Sequence, residues 1–207
     1  MGRLCHGDHT VRLILLSPPG AGKGTLATGL KARTGIGHVS SGDVLRAEIA
    51  RDTELGRRVA AYTSRGDLVP DDILFELLTP LALAAAETNG GYVLDGFPRT
   101  MAQAIRGAEL GVALDLVGDA AIYLSAPDDV LVRRLLGRAA LEGRPDDTIT
   151  VIAHRLRVFH DQTAPVVDYY RARGILLEVD ADRTPAEVLA DIVERLTARG
   201  IREPQLP

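Results

Sequence analysis

The sequence predicts an α/β fold of three layers, a five-stranded parallel sheet flanked on both faces by helices. Two observations carry this. Short apolar runs rich in Val, Ile and Leu alternate with longer helical patterns along the chain, and strands without polar alternation are those covered on both faces. The first such run also leads through the Gly-rich turn "SPPGAGKGT" straight into a helical pattern. The strands are expected at Val11–Leu16, near His38–Val39, at Tyr92–Asp95, Ala121–Leu124 and Ile175–Val179. Helices are expected to begin near Lys23, Gly42, Thr53, Pro70, Thr100, Pro127, Asp146 and Thr184. Pro80 and Pro165 fall inside two of them, where a missing N–H and a ring clash predict a kink.

A chain of 207 residues can bury one sizeable core, and 46% hydrophobic with 25% charged residues is the composition of a soluble globular protein. The net charge of −4 and the lack of Trp argue against a polyanion-binding or aromatic nucleic-acid surface. A single cysteine, Cys5, excludes an internal disulfide and a four-Cys metal site. No long apolar run and no secretory leader pattern is found, which points to the cytosol and away from a membrane. Residues 1–10 and 200–207 read as tails; Cys5, His6, Asp8 and His9 lack the spacing of a closed metal site.

The turn from Ser17 to Thr25 departs from the strict G-x-x-x-x-G-K-[ST] phosphate loop at two positions. Ser17 stands at the first glycine and Gly24 follows Lys23. Its context is nevertheless the one phosphate binding needs. Small residues let successive N–H groups converge on an anion at a helix N-terminus. Gly20, Ala21, Gly22, Lys23 and Gly24 would grip the phosphates, and Thr25 would offer an oxygen to Mg²⁺. Of the 24 basic residues only Lys23 and Lys31 are lysine, so one of the two sits inside this loop.

Four further stretches complete a set: "HVSSGDVLR" (38–46), "GDLVPDD" (66–72), "GYVLDGFPRTMAQ" (91–103) and "RRLLGR…GRPDDT…HRLRVFHDQTAP" (133–165). In this order and spacing, from about Leu13 to Leu196, the chain resembles the adenylate kinase family of nucleoside monophosphate kinases. The Gly24–Thr25 order is that family's spelling of the loop, whereas Ser17 stands where its members usually carry Gly. The resemblance implies a phosphate-loop (P-loop) core of residues 11–39, 67–137 and 149–199. It adds a helical acceptor-binding insertion at 40–66 and a short lid at 138–148.

The resemblance also implies an ATP:AMP phosphotransferase, dependent on Mg²⁺ and acting as a cytoplasmic monomer without structural zinc. Arg46 and Arg99 would bind the acceptor's phosphate, with Ser41, Leu68, Val69, Gly96 and Gln103 around the nucleoside. Arg134, Arg138 and Thr184 would contact ATP. Arg144 and Arg155 would clamp the phosphates of both nucleotides, Asp146 and Asp147 would pin the lid, and Asp95 would orient Mg²⁺-bound water. Its alternative reading is a helix N-cap, and that of Arg134 is replacement by the neighbouring Arg133. Ser41 replaces a usual Thr, and Asp67, in place of a frequent Lys, is expected to face solvent. The runner-up readings are a kinase preferring UMP, CMP or a modified nucleotide, and a non-catalytic nucleotide-binding module. The chain has no N-K-x-D motif, its only Asn being Asn89, which disfavours a GTPase-like switch.

Overall fold

The computed structural model describes residues 10–142 and 148–201. Arg144, Asp146 and Asp147, expected in a lid, lie outside the described residues, as do Cys5, His6, Asp8 and His9.

Five strands, β1 (Val11–Leu16), β2 (Gly37–Ser40), β3 (Gly91–Asp95), β4 (Ala120–Ser125) and β5 (Leu176–Asp180), pair in parallel in the order β2-β3-β1-β4-β5. The predicted strands are all present, with no end shifted by more than one residue. Helix α1 (Lys23–Thr34) follows β1; α2 (Ser41–Ala50), α3 (Glu54–Thr63) and α4 (Asp71–Asn89) lie between β2 and β3. Then come α5 (Met101–Ala113), α6 (Asp128–Glu142), α7 (Ile149–Val158), α8 (Ala164–Ala172) and α9 (Pro185–Ala198).

Alternation along β1 shows how the sheet is covered. Leu13 and Leu15 join a core with Leu26 and Leu30 of α1, Leu131 and Leu135 of α6, and Val188, Ile192 and Leu196 of α9. Ile14 and Leu16 point to the other face and pack with Ala104 of α5 and Val166, Val167 and Tyr170 of α8. Both faces of β1 are thus apolar because both are buried, the pattern expected of a parallel sheet. A third cluster joins Leu45 of α2, Val59 of α3 and Ile73, Leu74 and Leu78 of α4 to Val39 and Tyr92, and so mounts these three helices on one edge of the sheet. The order in which strands are added switches sides at β1, which lies between β3 and β4. The carboxyl ends of these strands therefore open on one crevice, where ligands of such sheets bind.

Helix starts are set by local chemistry. Ser40, Thr53, Thr100, Thr148 and Thr184 each accept a backbone N–H three residues on, the satisfaction of orphan donors typical of an N-cap. The two prolines are accommodated differently. Helix α4 continues through Pro80 to Asn89. Before Pro165 the chain instead widens into a π-helical turn, Phe159–Thr163, in which the Ala164 N–H reaches the Phe159 carbonyl. The wider turn relieves the clash that the Pro165 ring would make with the carbonyl four residues back. The single helix expected from Asp146 onward is therefore α7, a π turn and α8.

Candidate functional site

The site grows from the end of β1. Ser17, the departure from the phosphate-loop pattern, is buried, has no positive φ and so carries no backbone strain. Its hydroxyl donates to the Pro18 carbonyl at 2.8 Å and accepts from Lys23 Nζ at 2.9 Å. Gly20 takes φ 89°, and a Cβ there would lie 2.8 Å from the Leu131 carbonyl oxygen, so the loop packs on α6 only as glycine. Gly22 caps α1 in the left-handed region, leaving Gly24 and Thr25 exposed on the first turn of the helix.

Burial of the Lys23 amine pushes its pKa down to about 8. The charge of Asp95 opposes this, while Arg99, Arg155 and Arg138 add to it. Between about 8 and the ordinary value of 10.5, the unfolded chain holds a proton that the folded chain has released. Rising pH therefore stabilises the fold across that window. Tyr92, pushed up to about 12 by burial, works in the opposite sense above about pH 10. Denaturation of the nucleotide-free protein should thus show stability rising between pH 8 and 10, and Lys23→Met should remove that rise. An identical slope in the variant would count against a depressed Lys23.

At the end of β3, Asp95 is buried and 3.4 Å from His38 Nε2. Burial alone would raise this carboxyl. The His38 hydrogen bond and the charges of Lys23 and Arg99 outweigh it and hold Asp95 ionised, below the usual carboxylate range. Asp95 is no N-cap; Thr100 caps the following helix.

Arg99 is held at three points. Its N–H donates to Gln103 Oε1 at 2.7 Å, its carbonyl accepts from the Thr163 hydroxyl at 2.8 Å, and its Nε donates to the Gly96 carbonyl at 2.7 Å. Burial, then the like charge of Arg155, pulls its pKa down, while Asp95 supports the cation. The π turn before Pro165 is what delivers Thr163 to this backbone.

Three hollows meet here. One of about 380 Å³ is lined by Gly20, Gly22, Lys23, Gly24, Thr25, Asp95, Arg134 and Arg138. Beside it a groove of about 260 Å³ runs between the loop and the start of α9. Toward α2 and α3, where the acceptor is expected, lies a cleft of about 420 Å³ walled by Leu45, Ile49, Leu68, Val69 and Leu74. Ser41, Gly42, Arg46, Gly96, Arg99 and Arg155 line both the first hollow and the acceptor cleft.

The structure thus brings together Lys23, Thr25, Ser41, Arg46, Leu68, Val69, Asp95, Gly96, Arg99, Arg134, Arg138 and Arg155. Arg134 turns inward, donating to the Ala181 carbonyl at 2.9 Å, whereas Arg133 pairs with Asp129 on the surface. Two residues stand apart. Gln103 is fully buried and its Nε2 donates to Asp71 at 2.7 Å, so both ends of its amide are engaged and it does not line the cleft. The Thr184 hydroxyl forms the capping box of α9, and its neighbours Arg183 and Pro185 line the groove instead. Asp67 faces the cleft rim rather than solvent alone, bonded to Arg65 and His154. Sequence reasoning missed His38, Thr163, Arg183 and His154; only the proline two residues after Thr163 signalled an irregular helix.

Comparison with known proteins agrees with this geometry. A family model described as adenylate kinase matches residues 15–175. An adenylate kinase of Stenotrophomonas maltophilia (strain R551-3) is 47% identical over 186 residues, covering 88% of this chain and 99% of the relative. One of Kocuria rhizophila is 47% identical over 173 residues, covering 82% and 89%, and one of Thermobifida fusca 42% identical over 194 residues, covering 92% and 100%. With the phosphate loop, the arginine-lined wall and matches spanning most of its length, this chain belongs to the adenylate kinase family.

Proposed function

We propose that this chain transfers the terminal phosphoryl group of ATP to AMP, giving two ADP, with the donor on the loop between β1 and α1 and the acceptor in the cleft beside α2 and α3. The observation that carries the reading is the shared wall. Arg46, Arg99 and Arg155 border both hollows, so a phosphoryl group moving between them stays beside fixed cations. Phosphoryl transfer asks little covalent chemistry of a protein. It needs in-line placement, charge neutralisation and exclusion of water.

In this reading the N–H groups of residues 20–24 and the Lys23 amine hold the donor phosphates, and Arg134 and Arg138 flank them. Arg99 and Arg46 hold the acceptor phosphate, Arg155 bridges the two, and the apolar walls at Leu45, Leu68 and Val69 hold the nucleoside. Arg144, Asp146 and Asp147 would complete the lid. The exposed Thr25 hydroxyl and the ionised Asp95 line one hollow, and no cluster of three or more His, Cys, Asp or Glu occurs among the described residues. One hydroxyl and one carboxylate suit Mg²⁺, which keeps most of its water and takes phosphate oxygens. When bound it supplies charge neutralisation at the phosphates. The same reading takes the enzyme as a cytosolic monomer; no described helix is long and apolar enough to cross a membrane.

The closed hydrogen bonding of Gln103 leaves recognition of the base to the cleft walls and to backbone groups of residues 66–69. Shape alone discriminates by only about 1–3 kcal/mol. Assayed with ATP against AMP, CMP, UMP and GMP, the protein should prefer AMP by about tenfold or more in kcat/KM. A preference for UMP or CMP would replace AMP as acceptor, and no turnover with any of them would leave only a nucleotide-binding module.

A further inference from the structure

The acceptor cleft is closed on one side by the turn Ser64–Val69, and this turn rests directly on α7. Gly66, at φ 80°, lies so close that a Cβ would meet Arg155 Cγ at 2.8 Å, Val151 Cγ1 at 3.3 Å and His154 Cδ2 at 3.4 Å. Positions 151, 154 and 155 form one face of a helix. At the edge of this contact His154 Nε2 sits 2.8 Å from Asp67 Oδ1, and Arg65 Nε donates to Asp67 Oδ2 at 2.8 Å. The bonds from Arg65 and then His154 hold Asp67 below the usual carboxylate range. An ionised carboxylate only accepts, so it is His154 Nε2 that carries the proton.

Asp67 is an awkward residue for this place. It lines a cleft that, on the reading above, receives an anion, together with Arg46, Arg99 and Arg155. Left unpartnered toward the cleft, its carboxylate would repel the acceptor phosphate and compete for those arginines. Bonded on one oxygen to Arg65 and on the other to His154, it is turned to the rim. We propose that His154 is a positioning residue for the acceptor: its bond to Asp67 docks the cleft-closing turn on α7 and holds the Asp67 carboxylate off the acceptor phosphate.

This rests on the acceptor being a nucleoside monophosphate bound in that cleft. His154 itself does not line either hollow. It touches neither nucleotide in this account and acts only through Asp67 and the turn. The link lies on the acceptor side: Gly66, Asp67 and Leu68 of the turn line the acceptor cleft and not the groove beside α9.

The test is steady-state kinetics of His154→Ala and His154→Gln, with AMP and ATP varied separately. His154 is about one-third exposed (36%), so truncating it leaves the core intact. His154→Ala should raise the KM for AMP about fivefold or more, leaving the KM for ATP and kcat within about twofold. His154→Gln, whose amide can still donate to Asp67, should recover most of the loss. An unchanged KM for AMP in His154→Ala would overturn the proposal. So would equal rises for both substrates, or a Gln variant as impaired as Ala. The wild-type rate separates the two claims. If wild-type protein favours another monophosphate over AMP, the acceptor assignment fails and the variants are compared on that monophosphate. If it turns over none, displacement of a fluorescent AMP analogue at equilibrium reads the same His154 contrast.

Discussion

Lys23→Met should abolish phosphoryl transfer while leaving the protein folded. The Lys23 ammonium stands where the loop, Asp95, Arg99, Arg138 and Arg155 converge, and in this geometry it donates to Ser17. The bond to Ser17 holds the chain of the lysine along the loop, ready to exchange one oxygen partner for a phosphate. Its depressed pKa reflects burial first and then the like charges of Arg99, Arg155 and Arg138, and two bound nucleotides would supply compensating negative charge. A methionine fills a similar volume without charge or donors. Removing one preorganised donor of this kind costs about 10²–10³ in kcat, and with a formal charge lost the effect should lie at or above that range. Thermal unfolding of the variant should stay close to wild type, because the change removes a crowded cation and no core contact. Retention of more than a tenth of the wild-type rate would remove Lys23 from the mechanism.

Arg99→Ala should damage acceptor binding and turnover together. Its backbone is pinned by Gln103 and Thr163, and its Nε by the Gly96 carbonyl, so the guanidinium terminus is presented to the shared wall with little freedom left to lose. A planar fork held this way can form two parallel bonds to a phosphate, which a lysine cannot. We expect the KM for AMP to rise about tenfold and kcat to fall about 10²-fold or more, with the KM for ATP changing much less. Arg99→Lys should recover only a small part of the loss. Full activity in Arg99→Ala would contradict the assignment of the wall, and a selective loss of ATP binding would place Arg99 on the donor side.

Much of the fold was legible because each level of the sequence agrees with the next. Continuous apolar strands such as Val11–Leu16 announce burial on both faces, and residues 13 to 16 divide cleanly between two cores. Thr53, Thr100 and Thr184 mark helix starts by their own chemistry. The phosphate loop and the arginines of the site were legible too, because phosphate demands donors of those types in that local order.

What was not legible depends on contacts between distant segments. Gln103 reads in sequence as a base-recognising amide, yet the fold sets it between Arg99 and Asp71, four and 32 positions away. The local pattern names the residue but cannot say which buried donors will claim it. Asp67 reads as a solvent-facing departure, and only the packing of its turn on α7 supplies His154, 87 positions on. The π turn before Pro165 likewise shows in sequence as no more than an awkward proline, because the wider helix is the response of the backbone to it.

The central claim is that the donor hollow and the acceptor cleft act as one site, passing a phosphoryl group past Arg99 and Arg155. The most direct measurement is the AMP arm of the acceptor assay run with ATP labelled in its terminal phosphate, following both the label and the ADP formed. The account predicts two ADP for every AMP consumed, with the label in the β-phosphate of the ADP made from AMP and almost none as inorganic phosphate. Label released as inorganic phosphate while AMP stays unchanged would contradict it, since the two hollows would then serve hydrolysis rather than transfer.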